Sequence, residues 1–200
     1  MPDNTLQRQQ LRRHIRQLRR QLSPAAQQQA ATALVTQTLN LAQVASSQHI
    51  ALYLANDAEL DTFPLIQALW QQGKQVYLPV LHPFSAGYLL FMQYQQDTLL
   101  YPNKFGIPEP LPACHRLRPV NQLDLIFTPL VAFDAAGNRL GMGGGFYDTT
   151  FAFKHKKPAG KPYLIGLAHS CQQVDALPTD SWDIPLFAIA TETGVLAIDA

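Results

Sequence analysis

A chain of 200 residues that is 47% hydrophobic and 14% charged can bury a substantial core, which excludes global disorder. Its formal net charge of +1 is too small for a nucleic-acid binder that relies on bulk charge. Cys114 and Cys171, the only cysteines, make neither a disulfide framework nor a CxxC metal spacing; with no apolar leader and no stretch near the roughly 18 apolar residues of a membrane span, a soluble, cytoplasmic protein is expected.

The spacing of Leu11, Ile15, Leu18 and Leu22 predicts an amphipathic helix over 6–22. Its other faces carry Arg8, Arg12, Arg13, Arg16, Arg19 and Arg20, six of the fifteen Lys and Arg. Such local basicity calls for an anionic partner or for plain solvation. Ser23-Pro24 reads as an N-cap and first helical position, and a second helix is expected over 24–44. From residue 49 the period changes. His49–Leu54 reads as a buried strand, Asn56–Asp61 as a polar turn, and Thr62–Gln72 as a helix with Gly73 as its C-terminal cap. Gln75–Pro79 is the next strand, so the order β-α-β predicts a parallel pair with a crossover helix. Tyr88–Tyr94 is a further strand. Residues 97–122 are rich in proline and poor in period, and read as an extended surface excursion. Leu123–Pro129 is a buried strand and Asp134–Asn138 a turn. A helix starts within Phe146–Phe153, and strands are expected at Tyr163–Ala168, Phe187–Thr191 and Gly194–Ile198. The alternation predicts an α/β fold: an open, mostly parallel sheet flanked by helices, with an N-terminal helical pair. Neither an internal repeat nor a linker divides the chain, so one domain over 1–200 is expected.

The strongest local signal is Arg139-Leu140-Gly141-Met142-Gly143-Gly144-Gly145-Phe146-Tyr147-Asp148, which holds four of the eleven glycines within five residues. Glycines let backbone N–H groups converge without a Cβ in the way, which builds an anion-binding concavity. A helix starting just after the loop adds the attraction of its dipole for phosphate. The alternative is a flexible surface loop. The segment is not a Walker A, for no Gly-Lys-Ser/Thr follows, and Phe146 stands where a GxGxxG would have its last glycine. Asp148 beside a phosphate cradle is repulsive unless a cation lies between them, which makes it a candidate Mg²⁺ ligand; it reads equally as a capping aspartate. Glu59 and Asp61 follow the first strand, where ligands bind in open α/β sheets, or else they belong to a solvated turn that caps the next helix.

Taken in order, these landmarks resemble the 5-formyltetrahydrofolate cyclo-ligase family. The likeness runs from the basic helix Arg8–Arg20 into Leu22-Ser23-Pro24, through Tyr53-Leu54 and Glu59-Leu60-Asp61-Thr62, to Gly73-Lys74 with Leu78-Pro79. Phe105-Gly106-Ile107-Pro108-Glu109-Pro110, the glycine loop Arg139–Asp148 and Trp182-Asp183-Ile184-Pro185 complete it. The resemblance implies an ATP-dependent ligase that closes 5-formyltetrahydrofolate to 5,10-methenyltetrahydrofolate, with Mg²⁺ as cofactor. It implies ATP contacts at Arg8 and Arg12, and along Arg139, Leu140, Gly141, Met142, Gly143, Gly144, Gly145, Phe146 and Tyr147. It implies a substrate contact at Glu59 and metal contacts at Asp148 and Asp183. Arg8 stands where the family usually has lysine, which keeps the charge but changes the geometry of a phosphate contact. Thr149 replaces a basic residue common just after the loop. The expected partners are ATP and 5-formyltetrahydrofolate, with or without a polyglutamate tail, bound by a monomer with no nucleic-acid or membrane partner. Two other classes share parts of the pattern. A sugar-phosphate isomerase or CoA-transferase-like enzyme accounts for the fold and the anion loop, but not for Arg8, Arg12 and Asp183. A nucleic-acid-binding arginine helix accounts for neither the near-neutral total charge nor the glycine loop.

Overall fold

The computed structural model describes residues 4–156 and 159–198. Its first helix, α1, spans Asn4–Arg20 and starts and ends two residues before the expected span. It stops because Pro24 forces Ser23 into extended backbone (φ −64°, ψ 154°), from which the Ser23 hydroxyl caps Ala26 N–H of α2, Pro24–Leu39. The expected continuous helix over 24–44 is broken. Thr38 bonds back to the carbonyls of Leu34 and Val35, Asn40 turns its N–H to Thr38, and extended Leu41 then starts the single turn α3, Ala42–Ala45.

Strand β1, His49–Ala51, leads through the 52–62 segment to helix α4, Phe63–Gln71. That helix ends as its sequence requires. Gly73 sits at φ +71°, its N–H bonds to Trp70, and Lys74 N–H reaches Leu69, a Schellman closure in which glycine takes the left-handed position. Strands β2, Gln75–Leu81, and β3, Leu89–Tyr94, form an antiparallel pair. The 97–122 segment, expected as an extended surface excursion, holds short strands that the expectation did not name. It contains a hairpin of β4, Leu100–Pro102, and β5, Pro108–Pro110, and then β6, Leu117–Arg118, which pairs with β3. Prolines, tolerated only at such short edges, hide β4 and β5 from a reading by period, and β6 is too short to show one. Strand β7, Leu125–Pro129, is followed by a small hairpin of β8, Ala132–Phe133, and β9, Arg139–Leu140, around the predicted turn. Asp134 builds that turn by accepting from Ala136 N–H and Asn138 N–H. Helix α5, Phe146–Phe151, starts within the expected stretch and runs into a 3₁₀ turn. Strands β10, Tyr163–Leu167, β11, Ala188–Thr191, and β12, Gly194–Ala197, complete the chain.

The eight-stranded sheet has the order β12-β11-β10-β7-β1-β2-β3-β6. β2, β1, β7, β10 and β11 are mutually parallel, as the sequence predicts, and the outer strands are antiparallel. Strict alternation explains the two covered faces. Ile50, Val76, Leu78, Leu125, Phe127, Ile165 and Leu167 point to one face and pack with Leu34 of α2 and Leu65, Ile66 and Leu69 of α4. Ala51, Tyr77, Ile126, Leu164 and Ile189 point to the other, with Phe133, Phe151, Ile184 and Leu186. α1 docks separately, through Ile15, Leu11 and Leu18 against Val131, Ala132, Leu140 and Leu177. Since chain order runs outward in both directions from β1 and β7, the switch point lies between these two strands. In open α/β sheets, the crevice beyond the carboxyl ends at such a point is where ligands bind. Among the described residues no helix is long and apolar enough to cross a membrane.

Candidate active site

A cleft of about 1210 Å³ opens at that switch point. Its walls come from the ends of β1 and β7, the N-terminal half of α1, the loop over 103–109, the glycine loop with α5, and the segment around Asp183. Residues separated by nearly the whole chain therefore share one cavity.

The glycine loop leaves β9 at Leu140, which is buried, and enters α5 at Phe146. Gly143 (φ +101°) and Gly145 (φ +66°) hold backbone that side chains rarely adopt. Among the described residues, the backbone N–H groups of Gly141, Met142, Gly143, Gly144 and Gly145 find no acceptor within the chain. Five unspent donors on one loop are what an anion cradle would need. α5 is only 6 residues long, so the cradle depends on these amides and on nearby guanidinium groups more than on a helix dipole. Arg139, only 5% exposed, donates to Asp148 Oδ1 at 2.6 Å and lies 5.8 Å from the Tyr147 ring centroid. Its Nε is buried without a partner. Burial lowers the basicity of this guanidinium, and Asp148 works against that.

α1 supplies the opposite wall. Arg12 Nε donates to Gly141 carbonyl at 2.8 Å, so the helix grips the loop directly. Arg8 holds Asp183 with both terminal guanidinium nitrogens, Nη1 at 2.9 Å and Nη2 at 3.1 Å, and pairs with Asp180 through Nη1 at 2.5 Å. Asp183 Oδ2 also accepts from Asp180 N–H. Arg16, Arg19 and Arg20 all meet Asp57. The anionic partners that the arginine helix calls for thus include carboxylates of the same chain.

Glu59 enters from the loop after β1. Its Oε2 accepts from Asn56 N–H at 3.0 Å, and its Oε1 lies 4.0 Å from Arg19 Nη1. Burial pushes its carboxyl up to about 7, against the pull of the Asn56 N–H and of Arg19. Burial also raises the phenols of Tyr53 and Tyr147, and the charge of Glu59 adds to both. Asp61, the other acidic candidate of this loop, turns away to cap α4 by accepting from Phe63 N–H.

With this geometry in view, comparison with known proteins is decisive. Residues 4–192 match the profile of the 5-formyltetrahydrofolate cyclo-ligase family. The chain is 50% identical over 187 residues to a 5-formyltetrahydrofolate cyclo-ligase of Haemophilus influenzae, covering 93% of this chain and 98% of that protein. This chain belongs to the 5-formyltetrahydrofolate cyclo-ligase family. The enzyme of that name from Escherichia coli K12 is 48% identical over 182 residues, 90% of this chain and 98% of its own. The solved structure of a 5,10-methenyltetrahydrofolate synthetase from Aquifex aeolicus superposes with a TM-score of 0.79 at 27% identity, covering 96% of this chain and 93% of that one.

Read as a cyclo-ligase cleft, the cavity holds residues that sequence reasoning left without a role. Tyr53, Phe105, Glu109 and Trp182 line it. Phe105 meets Phe146 of the glycine loop edge to face at 6.0 Å. Glu109 points inward from β5 and accepts from Asn103 Nδ2 at 2.9 Å and from Leu81 N–H. The signal was the Phe105–Pro110 string itself, whose place in the fold depends on a hairpin without periodicity. A divalent ion also has a fitting donor. Asp148 Oδ2 has no partner among the described residues, whereas both oxygens of Asp183 are engaged by Arg8. Among the described residues no three metal-ligating side chains cluster. A lone carboxylate such as Asp148 is a donor of the kind Mg²⁺ takes, alongside a substrate's own phosphates.

Proposed function

We propose that this cleft closes 5-formyltetrahydrofolate to 5,10-methenyltetrahydrofolate at the expense of ATP. The observation that carries the reading is the meeting of an unspent amide cradle, ringed by Arg8, Arg12 and Arg139, with a partly buried carboxylate, Glu59, in one cavity of a family member. The cradle and arginines receive the phosphates. Glu59, ionised, accepts from the N–H donors of the pterin, and Tyr53 and Phe105 offer flat surfaces to its ring. Asp148 would hold the Mg²⁺, which when bound neutralises phosphate charge at the transferring group, and Asp183, paired with Arg8, is the second carboxylate proposed for it.

An N-formyl oxygen is a poor leaving group. Held in line with the γ-phosphorus, it takes the phosphoryl group, ADP departs, and the formyl carbon becomes an electrophilic iminium. The lone pair of N10 attacks that carbon and the five-membered ring closes; N10 gives up its proton to solvent, and the C–O bond breaks to release inorganic phosphate. Phosphoryl transfer of this kind depends mainly on positioning and electrostatics, which fixed amides and guanidinium groups supply. A cytoplasmic monomer, acting on folate with or without a polyglutamate tail, belongs to the same proposal; its free thiols at Cys114 and Cys171 suit a reducing compartment. The test is the absorbance of methenyltetrahydrofolate formed from 5-formyltetrahydrofolate. Formation is expected with ATP and Mg²⁺ and not without ATP; ATP-independent formation, or none at all, refutes the reading.

A further inference from the structure

The loop between Asn56 and Glu59 is held in an unfavourable shape from outside. Asp57 (φ 53°) and Ala58 (φ 57°) are successive left-handed residues, and neither is glycine. Such backbone persists only where its surroundings enforce it, and it clusters at functional sites. Here the enforcing groups come from α1. Asp57 Oδ2 accepts from Arg16 Nε at 2.7 Å and from Arg19 Nη2 at 3.1 Å, while Oδ1 accepts from Arg20 Nε at 2.6 Å. Arg19 also donates to the Asp57 carbonyl, from Nη2 at 2.8 Å and Nε at 3.1 Å, so it fixes the peptide as well as the side chain. Its third partner is the Leu130 carbonyl at 3.4 Å, just past β7. A wholly buried guanidinium therefore ties the loop after β1 to the end of β7, across the switch point.

Docking of α1 does not require this. The helix has its own apolar contacts at Ile15, Leu11 and Leu18, and three cations on one carboxylate exceed what charge balance needs. What the arrangement secures is the next-but-one residue. Glu59 closes the same turn, with its N–H on the Asn56 carbonyl and its Oε2 on Asn56 N–H. We propose that Asp57 is a positioning residue: clamped by Arg16, Arg19 and Arg20, it sets the turn that aims Glu59 into the folate side of the cleft. The proposal rests on the cyclo-ligase reading above and adds a role for the second half of α1, distinct from that of Arg8 and Arg12.

The test compares three variants of the full chain in steady-state turnover and thermal melting. Asp57→Asn keeps the shape and tolerates the left-handed turn but removes the charge. Asp57→Gly favours the turn and deletes the clamp. Asp124→Asn is a structural control, since Asp124 binds Gln48 N–H, His49 N–H and Lys161 at the amino end of β1, far from the cleft. Both Asp57 variants are expected to raise the KM for 5-formyltetrahydrofolate about tenfold and to leave the KM for ATP within about twofold. Asp124→Asn is expected to lower the melting temperature with both KM values unchanged. If an Asp57 variant does not fold, Arg20→Gln, which alters a side chain 53% exposed, should show the same KM split at a smaller size. A folate KM that stays at the wild-type value, or an equal rise in both KM values, overturns the inference alone. A wild type without turnover overturns the function reading and this inference with it.

Discussion

At Glu59 burial works against the charge that the proposed folate contact needs. Its carboxyl is pushed up to about 7 from an ordinary value of 4.5. Between those values the folded protein keeps a proton that the unfolded chain has released, so stability falls as pH rises through this window. Glu59→Gln removes that penalty and keeps an acceptor for Asn56 N–H. The variant should melt higher than wild type at pH 8, by on the order of 5 °C, with the difference vanishing towards pH 5. Its folate affinity should fall by about tenfold or more, because a neutral amide is a weaker acceptor than a carboxylate. Melting curves at the two pH values and a folate titration check both parts; equal melting differences at pH 5 and pH 8 would show that no buried charge is involved. Asp148 poses the opposite case. Asp148→Asn leaves the buried Arg139 without its counter-charge, so a loss of about 1–2 kcal/mol in stability is expected. Turnover, measured well below the melting temperature at saturating Mg²⁺, should fall about a hundredfold. Activity within about twofold of wild type would remove Asp148 from the metal site.

Among the elements, α1 shows how a helix can be read correctly and still be only half understood. Its apolar stripe is visible in the sequence, and so is the excess of arginine. The assignment of each arginine is not, because Asp57, Asp180, Asp183 and the Gly141 carbonyl reach it from distant parts of the chain. Arg12 lies off the stripe and bonds the glycine loop. Arg12→Ala should therefore raise the KM for ATP about tenfold and shift the melting temperature by no more than about 3 °C. A large drop in melting temperature with an unchanged KM for ATP would assign Arg12 to structure instead. The glycine loop and the Gly73 cap were legible for the same reason: glycine is informative where backbone must turn left-handed. The β4–β5 hairpin and β6 were not, since strands of two or three residues have no period to read, and β4 and β5 also hold prolines.

For the molecule as a whole, two halves of a site meet only when the sheet is assembled. Nucleotide contacts at both α1 and the glycine loop should make ATP with Mg²⁺ a stabiliser of the native state. At ligand a hundredfold above its Kd the gain is about 2.7 kcal/mol, or roughly 5–10 °C for a chain of this size. A sugar phosphate should produce no shift. EDTA should abolish both the shift and turnover, and equal turnover in EDTA and Mg²⁺ would refute the metal-phosphate site. One cooperative transition in each melt is what the single domain expected over 1–200 would give, and two separate transitions would refute it.

The sequence by itself determined the α/β class, the parallel β1–β2 pair with its crossover helix, and the glycine loop. Local rules suffice for these: apolar period, capping chemistry and the freedom of glycine act over a few residues. Together with the order of its landmarks, it also pointed to the cyclo-ligase family. Only the tertiary structure decided that β1 and β7 lie side by side, that Arg8 meets Asp183, and that three arginines converge on Asp57 to shape the turn before Glu59. Those contacts join residues 37 to 175 positions apart, and no local preference encodes a partner so distant. The burial that shifts Glu59 is likewise a property of the assembled cleft, because desolvation depends on what the rest of the chain places around a carboxylate.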